Sequence, residues 1–345
     1  MNSIEQLYSF LNGKPRRIVL TSHQNPDGDA VGSTLGLSHV FSKLGHHSQV
    51  IVPNAFPGFL EWLPGAGSIL VYDENPIVCD ELILQSDLVF SMDYNAIHRV
   101  DKMKDVIELS KAFKILIDHH LEPVVSDFDL LISDVKKSST SELVYDFLMK
   151  AGYGIYLDKD IAECLYTGIV TDTGSFSYSC NNPATWRTVA DLIEFNIDTE
   201  LLHRLIYDTY SEHRMRLLGF SLSDRMKVFP QYHTAYIFLT QDDLNRYKYQ
   251  VGDTEGLVNY PLSIDGIQLS ALFTERKELV RISLRSKGCF SVNAFAREHF
   301  NGGGHKNAAG ANSYHSIEKT TELFESLLPI YKDELGKHNP CVQLR

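Results

Sequence analysis

Long apolar runs are missing from this 345-residue chain. None approaches the roughly 20 residues a membrane-spanning helix needs, which excludes an integral helical membrane protein. The first fourteen residues include Glu5 and lack the basic-then-apolar order of a secretory signal, so a cytoplasmic protein is expected. Cysteine is scarce: there are five (79, 164, 180, 289 and 341), scattered and without a C-x-x-C pair. That excludes a disulfide framework and a structural zinc knuckle. Positive charge is also short, with 32 Lys and Arg against 44 Asp and Glu and a net charge of −12. A protein that coats long duplex DNA by general electrostatics carries the opposite sign.

What is present is ordinary globular material, 43% hydrophobic and 22% charged. At about 150 residues per domain the length calls for two domains. In the first half, short apolar runs at 17–22, 48–52, 87–92 and 113–117 read as buried strands. Helical patterns at 30–44, 139–150 and 160–170 alternate with them. Continuous apolar strands interleaved with helices predict a parallel sheet covered on both faces. Residues 182–224 read as mostly helical. The expected division is a first domain at 1–190, a helical linker at 191–222 and a second domain at 223–345. In that second part, 233–239, 266–274 and 279–286 read as strands, and 241–247, 292–300 and 317–331 as helices. Within 279–286, Val280, Ile282 and Leu284 alternate with Arg281, Ser283 and Arg285, so one face is apolar and the other carries two arginines.

In a parallel α/β sheet, ligands bind beyond the carboxyl ends of the strands. The residues following each predicted strand are therefore the first candidates. They are Ser22-His23-Gln24-Asn25-Pro26-Asp27-Gly28-Asp29, then Asp93, then Asp118-His119-His120. Thr171-Asp172-Thr173-Gly174 follows the 160–170 helix. Taken alone, Asp29 or Asp172 reads as a helix cap. Together the four segments deliver five carboxylates and three imidazoles to one edge. Such crowding is costly unless cations neutralise it. Oxygen-rich ligands with a few imidazoles and no thiolate suit Mn²⁺ first, with Mg²⁺ or Co²⁺ as alternatives and Fe²⁺ or Zn²⁺ allowed by geometry. The ligand set is too large for one ion, so two divalent ions sharing a carboxylate are expected.

A second signal lies further on. Between Arg276 and Lys306 stand seven basic residues (Arg276, Lys277, Arg281, Arg285, Lys287, Arg297, Lys306) against two acids (Glu278, Glu298). This basic stretch runs into Asn301-Gly302-Gly303-Gly304-His305-Lys306-Asn307-Ala308-Ala309-Gly310. Glycines let backbone N–H groups converge on an anion, and His305 and Lys306 add donors, so a phosphate-binding segment is expected there.

These residues resemble a known family. S-H-Q-N-P-D-G-D-A at 22–30, the lone Asp93, D-H-H at 118–120 and T-D-T-G at 171–174 are similar to the four motifs of DHH phosphoesterases. G-G-G-H-K-N-A-A-G at 302–310 is similar to the signature of the DHHA1 domain that follows. Within that family, R-S-K-G at 285–288 followed by V-N at 292–293 and the triple glycine is similar to the short bacterial nano-RNase form that also removes phosphate from 3′-phosphoadenosine 5′-phosphate (pAp). The resemblance implies an α/β fold: an N-terminal parallel-sheet DHH domain with helices on both faces, and a smaller α/β DHHA1 domain with a mixed sheet. It also implies roles. His23 and Asp27 would hold one metal, Asp29, His119 and Asp172 the other, and Asp93 would bridge them. Asp118 would orient an imidazole, and His120 would face the scissile phosphate or its leaving oxygen. Arg285, Ser286, Gly302, Gly303, Gly304 and His305 would grip a terminal phosphate or nucleotide.

The expected reaction is hydrolysis of short oligoribonucleotides and pAp by a hydroxide held between two Mn²⁺ ions. The expected partners are short single-stranded RNA or small nucleotides, with no membrane, no long duplex DNA, and a homodimer left open. Alternatives on the same metal centre are cyclic or linear dinucleotide cleavage, and exopolyphosphatase or pyrophosphatase action. A non-catalytic nucleotide sensor would have lost part of the metal set, and a zinc hydrolase of C–N bonds explains neither the arginine strand nor the glycine segment. Phe176 and Tyr178 read either as base-stacking groups or as packing against the sheet. Arg99 reads either as a phosphate ligand or as a partner of Asp101.

Overall fold

The computed structural model describes residues 3–337; the tail beyond Lys337, with Cys341, lies outside the described residues. The chain falls into two compact units divided between Thr209 and Tyr210.

The first unit runs α1 (Ser3–Leu11), β1 (Arg17–Thr21), α2 (Gly28–Lys43), β2 (His47–Val52), β3 (Leu70–Val71), α3 (Pro76–Gln85), β4 (Leu88–Met92), α4 (Lys104–Leu109), β5 (Phe113–Asp118), β6 (Leu130–Ser133), α5 (Thr140–Lys150), α6 (Lys159–Asp172), α7 (Pro183–Ile193) and α8 (Thr199–Tyr207). Its six strands pair in the order β3-β2-β1-β4-β5-β6, and every pairing is parallel. The apolar runs are continuous because both faces are covered. Ile18, Leu20, Phe90, Met92, Ile115 and Ile117 pack with α2, α5 and α6. Val19, Val89 and Leu116 point the other way, against Cys79 and Ile83 of α3 and Ile107 of α4. The expected parallel sheet with helices on both faces is therefore what forms. Helices α2 and α6 approach closely: a Cβ at Gly32 would meet the Cys164 carbonyl oxygen at 2.4 Å.

The second unit runs α9 (Glu212–Asp224), β7 (Met226–Phe229), β8 (Thr234–Leu239), α10 (Gln241–Arg246), β9 (Leu269–Glu275), β10 (Val280–Ser286), α11 (Val292–Phe300), β11 (Gly303–His305), β12 (Ala308–Ser313) and α12 (Ile317–Gly336). Its strand order is β11-β12-β10-β9-β8-β7. The β8–β9 pairing is parallel and the others are antiparallel, giving the expected mixed sheet. Phe295 of α11 and Phe324 of α12 cover one face over Tyr236, Phe273 and Ile282. Leu217 of α9 and Leu244 of α10 cover the other over Ile237 and Leu272.

Two differences from the sequence reading bear on the site. Helix α6 continues two residues past 170 and ends on Asp172 itself. The glycine segment is not a free loop, because Gly303–His305 forms an edge strand on β12. Among the described residues, no helix is long and apolar enough to cross a membrane.

Candidate active site

The strand order of the first sheet reverses between β1 and β4, since β2 lies on one side of β1 and β4 on the other. A reversal of this kind opens a crevice at the carboxyl edge. Residues 22–29 leave β1 there, Asp93 leaves β4, and Asp118 to His120 leave β5 next door. Asp172 arrives at the end of α6.

The side chains of His23, Asp27, Asp29, Asp93, His119 and Asp172 lie together at this edge. His23 Nε2 lies 3.4 Å from Asp93 Oδ2 and 3.8 Å from Asp27 Oδ2. His119 Nε2 lies 3.6 Å from Asp93 Oδ1, 4.0 Å from Asp29 Oδ2 and 3.4 Å from Asp172 Oδ2. His23, Asp27 and Asp93 form one compact donor group and Asp29, Asp93 and His119 a second. Asp93 belongs to both, with one oxygen facing each histidine. Most of these separations exceed hydrogen-bond length but match the spacing of atoms that share an ion. The donor set therefore fits a pair of hard divalent cations.

Local backbone explains the aim of each group. Asp93 has a left-handed φ of 64°, a conformation that aspartate tolerates better than most side chains, and it turns the chain sharply as it leaves β4. Asp27, rather than Asp29 or Asp172, is the helix cap: its Oδ1 accepts from the Asp29 and Ala30 amides. Asp172 stands at the carboxyl end of α6, where the helix dipole disfavours an anion, so capping does not explain it. His23 Nδ1–H donates to the Gln24 carbonyl at 2.9 Å and His119 Nδ1–H to the Lys137 carbonyl at 3.2 Å. Carbonyls only accept, so both rings present Nε2 to the carboxylates. His120 Nδ1 lies 2.6 Å from Asp118 Oδ1.

Electrostatics follow from crowding. Burial, then the neighbouring Asp29 and Asp27, hold the Asp93 carboxyl well above its ordinary range. Burial likewise raises Asp29. Burial alone would lower His119, but Asp172, Asp93 and Asp29 carry it up to about 9. Burial lowers His120 despite Asp118.

Sequence reasoning missed the residues that wall this cluster. The Thr140 and Ser141 amides donate to Asp29 at 2.6 and 2.9 Å, and Thr140 Oγ1 donates to Asp93 at 2.9 Å. The only local signal is a Ser/Thr-rich stretch before a helix, which reads as a cap. Ser139 is indeed the cap of α5. Phe176 packs on Trp186 at 4.9 Å and beside Tyr166, which supports packing rather than base stacking. Tyr178 lies over Gly174, where a Cβ would strike its ring. Asp101 accepts from Gln24 Nε2 at 3.0 Å, and the Arg99 charge is close enough to depress His120.

In the second unit, β10, β12 and β11 set Arg285, Ala308 and His305 in one register row. Directly opposed residues share a face, so the two basic side chains flank a small one. The next row on that face is Ser283, Gly310 and Gly303, which leaves a shallow floor of backbone between them. A Cβ at Gly302 would meet the Gly310 carbonyl at 2.3 Å, and Gly304, at φ 145°, would meet that of Ala308 at 2.5 Å. Those two glycines serve hairpin closure. Ser286 is buried; its hydroxyl donates to the Phe290 carbonyl at 2.7 Å and accepts from Asn307 Nδ2 at 2.8 Å. Asn307 also donates to the Gly288 and Phe290 carbonyls, pinning the turn after β10, a role sequence reasoning missed.

Comparison with known proteins agrees with this arrangement. Residues 17–169 match the DHH family, N-terminal domain, and residues 230–333 match the DHHA1 domain. A Thermus thermophilus protein named bifunctional oligoribonuclease and PAP phosphatase NrnA is 30% identical over 93% of this chain and 90% of its own length. The chain belongs to the DHH family of phosphoesterases. This DHH chain is also 29% identical to a Streptococcus mutans protein, probable bifunctional oligoribonuclease and PAP phosphatase NrnA, over 91% of this chain and 95% of that one. A solved Bacteroides fragilis structure, described as an exopolyphosphatase-related protein, matches with a TM-score of 0.90 and 43% identity, covering 96% of this chain and 97% of that one. The DHH match spans the segments that supply His23, Asp27, Asp29, Asp93, Asp118, His119 and His120; the DHHA1 match spans the Arg285–His305 row.

Proposed function

We propose that this DHH phosphoesterase hydrolyses short oligoribonucleotides and pAp, using two divalent cations, Mn²⁺ first, held by His23, Asp27, Asp29, Asp93, His119 and Asp172. The observation that carries the reading is the pair of donor groups sharing Asp93. Bound there, the ions would supply charge neutralisation and water activation for displacement at phosphorus. The chain's own groups do the rest. Asp118 holds the His120 ring by Nδ1, leaving Nε2 to face the departing oxygen and deliver the proton that oxygen must gain as its bond to phosphorus breaks. Arg99 adds positive charge nearby. Arg285 and His305 grip a terminal phosphate across the small-residue floor, with Ser286 and Asn307 shaping the turn beside it. A grip of this size favours substrates of a few nucleotides over long polymers. The names of the Thermus and Streptococcus relatives support the same substrate class.

The division of labour proposed for the chain is chemistry in 1–190, a linker at 191–222 and substrate binding in 223–345. The test is a time course with 5′-labelled RNA of two to five nucleotides, and with pAp, with and without Mn²⁺. Metal-dependent release of nucleotide or phosphate is expected; no release from either substrate removes the assignment. A second reading, exopolyphosphatase or pyrophosphatase action, is favoured by the description of the Bacteroides structure. Running polyphosphate, pyrophosphate, linear diadenylate and cyclic diadenylate beside pAp separates the two.

A further inference from the structure

No motif covers residues 137–142, yet this turn touches three of the four segments that build the cluster. Its backbone amides at Thr140 and Ser141 reach Asp29, the Lys137 carbonyl reaches His119, and the Thr140 hydroxyl reaches Asp93. Residues 138–141 are at most 1% exposed, and Glu142 at the centre of the turn is fully buried. Glu142 accepts from the Ser138 amide and hydroxyl, from Lys137 Nζ and from Thr185 Oγ1, all between 2.7 and 2.9 Å. Helix α6 presses from behind, since a Cβ at Gly168 would lie 1.9 Å from Ser141 Oγ and 2.6 Å from Asp29 Oδ1. A turn built this way cannot yield to the carboxylates; they must turn to meet it.

The consequence is sharpest at Asp93. Its Oδ1 accepts from Thr140 and faces His119 at 3.6 Å, while its Oδ2 faces His23 at 3.4 Å. Rotation of this carboxylate would take both oxygens off their histidines together. Both histidine separations are longer than a direct hydrogen bond and leave this rotation loosely defined, so a close fixed donor to one oxygen decides it. Thr140 Oγ1 is such a donor. We infer that Thr140 is a positioning residue that assigns one Asp93 oxygen to each half of the cluster, on a mould of residues 137–142 kept rigid by Glu142. The inference rests on the two-cation reading above.

The test reads cation uptake rather than turnover. Metal-free wild type, Thr140→Val and Thr140→Ser are titrated calorimetrically with Mn²⁺ alone, their Mn²⁺ spectra are recorded by electron paramagnetic resonance, and each metal-free protein is melted. Thr140→Val is expected to weaken uptake about 10- to 100-fold, chiefly for the second ion, as loss of an orienting partner does. Its spectrum is expected to show isolated rather than exchange-coupled Mn²⁺, while its metal-free melting stays close to wild type. Thr140→Ser, which keeps the hydroxyl, should restore both. If Val does not fold, Thr140→Ala reads the same loss. Two-ion uptake and a coupled spectrum in the Val or Ala variant would overturn the inference, as would a Ser variant as impaired as Val. Because RNA and pAp are absent, the outcome does not depend on whether the substrate assignment holds.

Discussion

Asp118 Oδ1 and His120 Nδ1 meet at 2.6 Å, two residues apart where β5 leaves the sheet, and Asp118 is fully buried. The carboxylate fixes both the ring plane and which nitrogen points away from it. Removing that control should damage turnover without emptying the cation site. His120→Ala and Asp118→Asn are each expected to lower kcat by about 10²- to 10⁴-fold, the usual worth of a positioned proton-transfer group. Mn²⁺ uptake measured by calorimetry should remain within a few-fold of wild type. Loss of uptake equal to the loss of turnover would move His120 into the ligand set.

Asp93 belongs to both donor groups, so its loss acts on both halves. Asp93→Ala is expected to abolish turnover of RNA and pAp alike and to reduce the amount of Mn²⁺ bound. Chelation of wild type should have the same effect and be reversed by added Mn²⁺. Cations that bind only the folded protein also stabilise it, by about 2.7 kcal/mol at a hundredfold excess over Kd. A thermal shift with Mn²⁺ in wild type and none in the variant checks this. Retained turnover in Asp93→Ala removes the shared-ligand assignment.

The row of Arg285, Ala308 and His305 predicts a separation of binding from chemistry. Arg285→Ala is expected to raise KM for pAp about tenfold or more with a smaller change in kcat, because a charge-assisted bond to phosphate is worth about 1.5–3 kcal/mol. Ala308→Leu should act in the same direction by filling the floor between the two basic groups. Steady-state kinetics on both variants decides; a pure kcat effect would place Arg285 elsewhere in the reaction.

Glu142 gives a pH dependence with a definite sign. Burial would raise its pKa, but the Ser138 amide and hydroxyl, Lys137 and Thr185 outweigh that and hold it below its ordinary value of 4.5. A depressed carboxylate stabilises the fold above its unfolded pKa and loses that contribution as pH falls through the folded value. Metal-free wild type should therefore lose melting temperature as pH drops from about 5 towards 3. Glu142→Gln should start lower and fall less steeply over the same window. Parallel curves for the two proteins would mean that Glu142 carries none of the slope.

Gly168 lies where α6 meets both Asp29 and Ser141. Gly168→Ala is expected to destabilise the metal-free protein by about 1–3 kcal/mol, the range for overpacking a tight contact, despite alanine's better helix propensity. Denaturant unfolding measures it; a stabilised variant would show that α6 can move away.

Much of the first unit was legible because buried parallel strands announce themselves. Runs such as Leu88–Met92 are buried along their whole length and apolar except for Ser91, and the residue after each is free to be functional. Beyond the first half's main strands, the signal thins. β3 has only two residues, and β6 is only partly buried, so neither carries a period long enough to read. β11 and β12 are built from Gly, Ala, His, Asn and Ser, which lack strand preference; the hairpin is imposed by pairing with β10. In the site, Asp and His were legible because their chemistry is rare at strand ends. Thr140, Ser141 and Asn307 were not, since each acts through hydrogen bonds of its amide or short side chain to residues distant in the chain. Local composition has no access to such partners.

The cation cluster draws on segments that begin at His23 and finish at Asp172, and no stretch of the chain holds a complete donor group by itself. If divalent cations bind there as proposed, their uptake would report that the ends of β1, β4 and β5 stand together, a property of the assembled sheet rather than of any one segment.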